Sequence, residues 1–251
     1  MSIFRSKGKK LRYGIYSDIH GNLEALQTIL KELEREKVDQ YICLGDVVGY
    51  GANPSECIQM VRDYDSMLVA GNHDYAVAGK LDISFFNQYA KEAVIWTRNQ
   101  LTEKERLFLA NLDLSQQIED VLTIVHGTLN YPEMFDYIVT SFDAHLSLEL
   151  LNTPVCFLGH SHVPVAFFSG PTVTFTMDEE IDIDPTRKTL VNVGSVGQPR
   201  DENPFASCAI YDTEAQKVYI HRVEYDIELT ISKILDAGLP EILGERLRYG
   251  R

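Results

Sequence analysis

Four cysteines in 251 residues, none in a C-x-x-C pair, leave little room for a disulfide framework or a thiolate metal site. Cys43 and Cys156 lie inside the apolar runs "YICLG" and "VCFLG", and with Cys57 and Cys208 they read as structural or incidental thiols. No stretch approaches the roughly 20 apolar residues of a membrane span. The basic start, "MSIFRSKGKKLR", is followed by no long apolar segment or small-residue cleavage site, so it is not a secretory signal and a cytoplasmic protein is expected. Positive charge is scarce: 23 Lys and Arg against 37 Asp and Glu give a formal net charge of −14. A nucleic-acid groove needs clustered cations. Only the tail from Arg5 to Arg12 has them, and it reads as a solvated terminus, with residues 1–10 flexible. An anionic substrate must therefore be held by something other than bulk charge, and a bound metal would supply that. Repeats and low-complexity segments are also missing.

What is present is an alternation of apolar runs and helical patterns. "LRYGIYSD" predicts a buried strand, and Leu23, Leu26, Ile29, Leu30 and Leu33 form the stripe of an amphipathic helix. "QYICLGD" predicts a second strand, Pro54 opens a helix to about Arg62, and "SMLVAGN" predicts a third strand. This order implies parallel crossovers covered by helices. Ser84 to Asn111 is helical with a break near Leu101-Thr102, and "DLSQQIEDVLTIVHG" predicts two strands meeting near Glu119-Asp120. A helix over Phe142 to Leu151 and the strand "PVCFLGH" follow. Beyond His162 come "PVAFFS", "TVTFTM", "TLVNVG", "ASCAIYD" and "KVYIHRVEY", then helices at Ile227–Ala237 and Pro240–Arg248. The acidic run "DEEIDID" reads as a solvated loop. With no linker-like segment, residues 1–251 read as one α/β domain in which two mixed sheets pack together with helices outside.

Five predicted strands end on a metal-competent side chain: Asp18 and His20 in "YSDIHGN", Asp46 in "CLGDVVGYG", Asn72 and His73 in "VAGNHD", His126 in "TIVHG", and His160 and His162 in "FLGHSH". Ligands of open α/β sheets bind beyond the carboxyl ends of strands. Of seven histidines, only His145 and His221 fall elsewhere. Each motif alone has a plain reading as a cap, a turn residue or a buried histidine; together they point to one site. Asp18 and His20, like His160 and His162, are two apart, so on extended chain both members point the same way.

D-x-H, G-D, G-N-H-D, H-G and G-H-x-H, in this order, resemble the calcineurin-like metallophosphoesterase superfamily. The resemblance runs from Asp18 to "VNVGSVGQPRD". "DIHGNLEAL" and "GDVVGYGANP" are similar to its small bacterial and archaeal, phosphodiesterase-like or diadenosine tetraphosphatase-related branch. It implies a four-layer sandwich and two divalent ions, one held by Asp18, His20 and His162, the other by Asn72, His126 and His160, with Asp46 bridging. The ligand types suit manganese, iron, zinc or nickel alike. Such ions acidify water and clamp phosphoryl oxygens. His73 is implied to stabilise the phosphoryl group or protonate the leaving oxygen, with Asp74 orienting its ring.

The resemblance implies an enzyme acting on small phosphomonoesters, phosphodiesters or nucleotide-like substrates. The stretch after Gly45-Asp46 lacks the arginine of the superfamily's serine/threonine protein phosphatases, and Asp74 stands where they carry Glu, which weakens that alternative. Arg98 and Arg200 are candidate replacements, and Asn22, Tyr50, Asn53 and Tyr131 are candidate pocket residues. A non-catalytic metal-binding scaffold and a nuclease are further alternatives; the intact ligand set counts against the first and the missing basic face against the second. The oligomeric state is left open.

Overall fold

A computed structural model describes residues 10–251. Most of the expected basic tail lies outside the described residues, and its last member, Arg12, opens the first strand.

The first sheet takes β1 (Arg12–Tyr16), β2 (Gln40–Cys43) and β3 (Met67–Leu68), joined through helices α1 (Leu23–Arg35) and α2 (Pro54–Asp63), as parallel neighbours. Helices α3 (Asn72–Ala78), α4 (Gln88–Gln100) and α5 (Glu103–Ala110) follow. The second sheet begins with the hairpin β4 (Ser115–Ile118) and β5 (Leu122–Val125). Helix α6 (Ser141–Leu150) then leads to β6 (Val155–Leu158), and β7 (Val165–Phe168), β8 (Thr174–Thr176), β9 (Glu180–Asp182) and β10 (Thr189–Asn192) follow. Strands β11 (Ala206–Asp212) and β12 (Lys217–Val223) return to the first sheet, and α7 (Ile227–Asp236) and α8 (Glu241–Glu245) close the chain. The strand orders are β3-β2-β1-β11-β12-β9 and β4-β5-β6-β10-β7-β8.

The period-2 alternation of strand side chains sorts the layers. Ile15 and Ile42 of the first sheet meet Ile124, Phe157 and Val191 of the second in a shared core. The intervening residues Tyr16 and Cys43 point the other way, onto Leu26, Ile29 and Leu30 of α1. Cys156 and Leu190 likewise face Ala144 and Leu148 of α6. Helices, sheet, sheet and helix make four layers, the expected fold class. All four cysteines are buried and free.

Two expectations change. The acidic run is not all loop: Glu180–Asp182 forms β9, whose Ile181 is buried and whose backbone pairs with β12. Two buried isoleucines, Ile181 and Ile183, among the carboxylates anchor this edge of the sheet. Asn72 also opens a helix, α3, inside what reads as the end of a strand run. None of the described helices is long and apolar enough to cross a membrane.

Candidate metal centre

The five strand ends do converge. Asp18 and His20 follow β1, Asp46 follows β2, Asn72 and His73 open α3, His126 follows β5, and His160 and His162 follow β6. Asp18, His20, Asp46, His73, His126, His160 and His162 are all at most 5 % exposed.

The backbone there is not the extended chain expected from the spacing. Asp18, His20, Asp46, His160 and His162 all have positive φ, between 51° and 66°. A β-carbon makes this left-handed region costly by roughly 1–2 kcal/mol per residue, so the turns are held by their surroundings. The amides of Asp18, His20 and Gly21 donate to the carbonyls of Gly45, Asp46 and Val47, which zips the first two turns together. Ser195 Oγ donates to the Asp18 carbonyl at 2.9 Å, and Asn192 Nδ2 donates to the Gly159 carbonyl and Ser161 Oγ. The "VNVGSVGQPRD" segment is thus a buttress for the ligand turns. Gly71 shows how tight the assembly is: a β-carbon there would lie 2.0 Å from Asp46 Oδ1.

Three of the rings are aimed by their outer nitrogens. Nδ1 of His126 faces the Leu44 carbonyl at 2.8 Å, Nδ1 of His162 the Gln198 carbonyl at 2.6 Å, and Nδ1 of His20 the Val48 carbonyl at 3.3 Å. With those nitrogens donating, the three Nε2 atoms face inward. Nε2 of His20 and His162 lie 3.2 Å apart, as do Nε2 of His126 and Nδ1 of His160. Each carboxylate divides its work. Asp18 Oδ2 accepts from the His160 amide, while Oδ1 lies 3.2 Å from His162 and 3.8 Å from His20. Asp46 Oδ1 accepts from the His73 amide, while Oδ2 lies 3.4 Å from His126 and 3.6 Å from His20. Asp46 Oδ2 thus faces the imidazoles without a backbone donor.

The donor set fits divalent metal. Asp18, His20 and His162 form one group of mutually close ligand atoms and Asp46, His126 and His160 another; a third joins His20, Asp46 and His73. Asp18 Oδ1 and Asn72 Oδ1 are buried acceptors without a hydrogen-bond partner, an expensive arrangement unless a cation meets them. Burial pushes His20, His160 and His162 below the usual imidazole range, His160 to about 3, so they are neutral near pH 7 and free to donate a lone pair. Burial opposes ionisation of Asp18 and Asp46, but the neighbouring imidazoles, His162 foremost for Asp18 and His126 for Asp46, hold both carboxyls well below their usual range.

The matching pattern of the calcineurin-like phosphoesterase superfamily domain covers residues 11–216. The chain belongs to the calcineurin-like phosphoesterase superfamily. An uncharacterised protein of Methanocaldococcus jannaschii is 39 % identical over 96 % of this chain and 99 % of its own. The crystal structure of a metallophosphoesterase from Sphaerobacter thermophilus is 39 % identical and superposes with a TM-score of 0.85 over 97 % of this chain and all of that one. A hypothetical protein of Pyrococcus horikoshii OT3, 20 % identical with a TM-score of 0.80 over 96 % of this chain and 98 % of its own, shares the fold.

Around the centre the superfamily member departs from several expectations. Asp74 does not meet the His73 ring: Oδ1 accepts from the amides of Val47 and Val48 and Oδ2 from that of Gly71, so it caps α3 and pins the Asp46 turn. His73 Nδ1 is buried without a partner. Asn22 is the N-cap of α1, its amide spent on Ala25, Gly197 and Thr230. Asn53 precedes α2 and bonds Glu56. Arg98 lies behind α3, donating to the Ala76 carbonyl from both Nε and Nη2. Tyr131 is 66 % exposed and lines no part of the cleft beside the centre.

Tyr50 and Arg200 do reach the site. The Tyr50 ring lies 4.7 Å from that of His20 and 4.4 Å from that of His73. Arg200 Nη2 donates to Gln198 Oε1 at 2.8 Å, and its positive field reaches Tyr50, His73, Tyr137 and His162. Three residues went unread in the sequence. Tyr137 stacks on His160 at 3.9 Å, Phe86 lies 5.3 Å from the His73 ring, and Gln198 holds both His162 and Arg200. The aromatic density of "YPEMFDY" was the available signal for Tyr137. An open cleft of about 450 Å³ extends from Asn72, His73 and His160 between Phe85 and Phe86 on one side and Met134, Phe135 and Tyr137 on the other.

Proposed function

We propose that this phosphoesterase is metal-dependent and hydrolyses small phosphoesters, with the phosphoryl group beside the clustered carboxylates and imidazoles and the leaving group in the aromatic cleft. The observation that carries the reading is the pair of buried, unpartnered oxygens of Asp18 and Asn72 within a ring of inward-facing imidazoles. Asp18, His20 and His162 would hold one ion and Asn72, His126 and His160 another, with Asp46 shared by both. When bound, such ions supply an acidified water and neutralise phosphoryl charge. The protein's own contribution is positioning. Gln198 fixes His162 with its carbonyl and Arg200 with its side chain, so one residue sets both a ligand and the cation that answers phosphate charge. His73, which burial pushes down to about 4, is neutral at pH 7; it stabilises the phosphoryl group by hydrogen bonding rather than as a standing acid.

The cleft supports an uncharged, apolar or aromatic leaving group. Its walls carry rings, and the carboxylates on its rim, Asp82 and Glu133, would repel a polyphosphate. The test is turnover of aryl phosphates, bis-aryl phosphates, nucleoside diesters and dinucleoside polyphosphates with and without added divalent metal. Metal-dependent turnover lost in Asp46→Asn is the expected result. No turnover with any metal, or an Asp46→Asn enzyme as active as wild type, would overturn the reading.

A further inference from the structure

Helix α6 covers the second sheet with Ala144, Ser147 and Leu148, which are buried. Its opposite face should then be polar. Instead Phe142 is 88 % exposed, and Leu146 and Leu150, at i+4 and i+8, are each half exposed. The stripe continues off the helix. A groove of about 470 Å³ beside the α6 N-terminus is lined by Ile138, Val139, Val165, Phe167, Phe175 and Met177. Val139, Phe175 and Met177 are themselves more than half exposed, and β8, which carries Phe175, is an edge strand.

We infer that this face is the two-fold interface of a homodimer in which α6 packs antiparallel against α6 of a second copy. Area is the first argument. Six large apolar side chains on α6 and beside the groove at its N-terminus, Phe142 at 88 % exposure and Val139, Leu146, Leu150, Phe175 and Met177 at 50–61 %, are left open, where the largest apolar patch on a typical monomer is about 300–600 Å² and each partner of a stable complex gives ~800 Å². Self-complementarity is the second. A stripe with Leu146 at its centre and Phe142 and Leu150 one turn to either side meets its own copy under a two-fold axis: Leu146 on Leu146, Phe142 on Leu150. Antiparallel pairing also sets the two helix dipoles in opposition. A membrane is the wrong partner for this stripe, since α6 carries Asp143 and Glu149 and no Lys or Arg.

The interface adjoins the cleft. The chain that places Tyr137 against His160 runs directly into Val139 and Phe142, so pairing would brace one wall of the cleft from behind.

Sedimentation or light scattering of the full-length protein at micromolar concentration should give twice 28.5 kDa, and Phe142→Glu/Leu146→Glu should give a folded monomer by circular dichroism. Because the native cysteines are buried, Leu146→Cys should cross-link to its own copy on mild oxidation, whereas Lys104→Cys on exposed α5 should not. A monomeric wild type, a dimer that survives the double substitution, or equal cross-linking at both positions would overturn the inference; so would a wild type that pairs only with a different protein.

Discussion

His126 feels opposed forces. Burial pushes its imidazole down, but Asp46, Asp18 and the Leu44 carbonyl outweigh burial and raise it to about 9 in the metal-free protein. The folded state therefore keeps a proton between roughly pH 6.5 and 9 that the unfolded chain has released. That proton adds stability fully below pH 6.5, and the addition is lost as pH rises through 9. Metal must displace the same proton. Metal affinity should thus climb about tenfold per pH unit from 7 toward 9 while the metal-free melting temperature falls, as competitive chelator titration and calorimetry would show. A pH-independent affinity would remove His126 from the ligand set. His73 gives a second residue-scale expectation. His73→Ala should keep its metal and lose about 10²–10³ in kcat, to a similar extent for good and poor aryl leaving groups, as for loss of a hydrogen-bond donor to the phosphoryl group. A loss that grows with leaving-group pKa would instead make His73 a proton donor.

Between elements, one tight junction packs the Asp46 turn against α3. Gly49 lies in that turn at φ 96°, and a β-carbon there would sit 2.5 Å from His73 Nδ1. Gly49→Ala should tilt the His73 ring, lowering kcat at least tenfold while the metal content of the purified protein holds; loss of metal as well would show that the whole turn had moved. Strands, crossovers and most helices were legible because apolar periodicity survives into the fold: the strand ends that converge came from runs such as "QYICLG" or "PVCFLG". The positions that cluster were legible because carboxylate and imidazole after such runs are rare. The local geometry was not. Positive φ at Asp18 or His160 leaves no mark on composition, since the bonds that hold it come from Ser195 and Asn192, far along the chain. Asn22, Asn53 and Arg98 are committed elsewhere: Asn22 caps α1 and ties it to Gly197 and Thr230, Asn53 bonds Glu56, and Arg98 bonds the Ala76 carbonyl, long-range pairings for Asn22 and Arg98 that composition does not show.

Across the whole molecule, the site is a joint between the two sheets. β1 and β2 lead to Asp18, His20 and Asp46, β5 and β6 lead to His126, His160 and His162, and the His160 amide bonds Asp18 across 142 residues of chain. Metal present at about 100 times its dissociation constant would stabilise the folded protein by roughly 2.7 kcal/mol. For a chain of this size each kcal/mol is worth about 2–4 °C. Chelation should therefore lower the melting temperature by roughly 5–10 °C, read by scanning calorimetry at fixed pH; an unchanged transition would mean that no tightly held ion was present. The separation of those 142 residues also bears on kinetics. Closing so long a loop is entropically slow, and the ligands meet only after both sheets have formed and docked. Metal can then have little grip on the transition state for folding. It should leave the refolding rate nearly unchanged and slow unfolding by about two orders of magnitude, making the ion a lock on the finished structure rather than a template for building it.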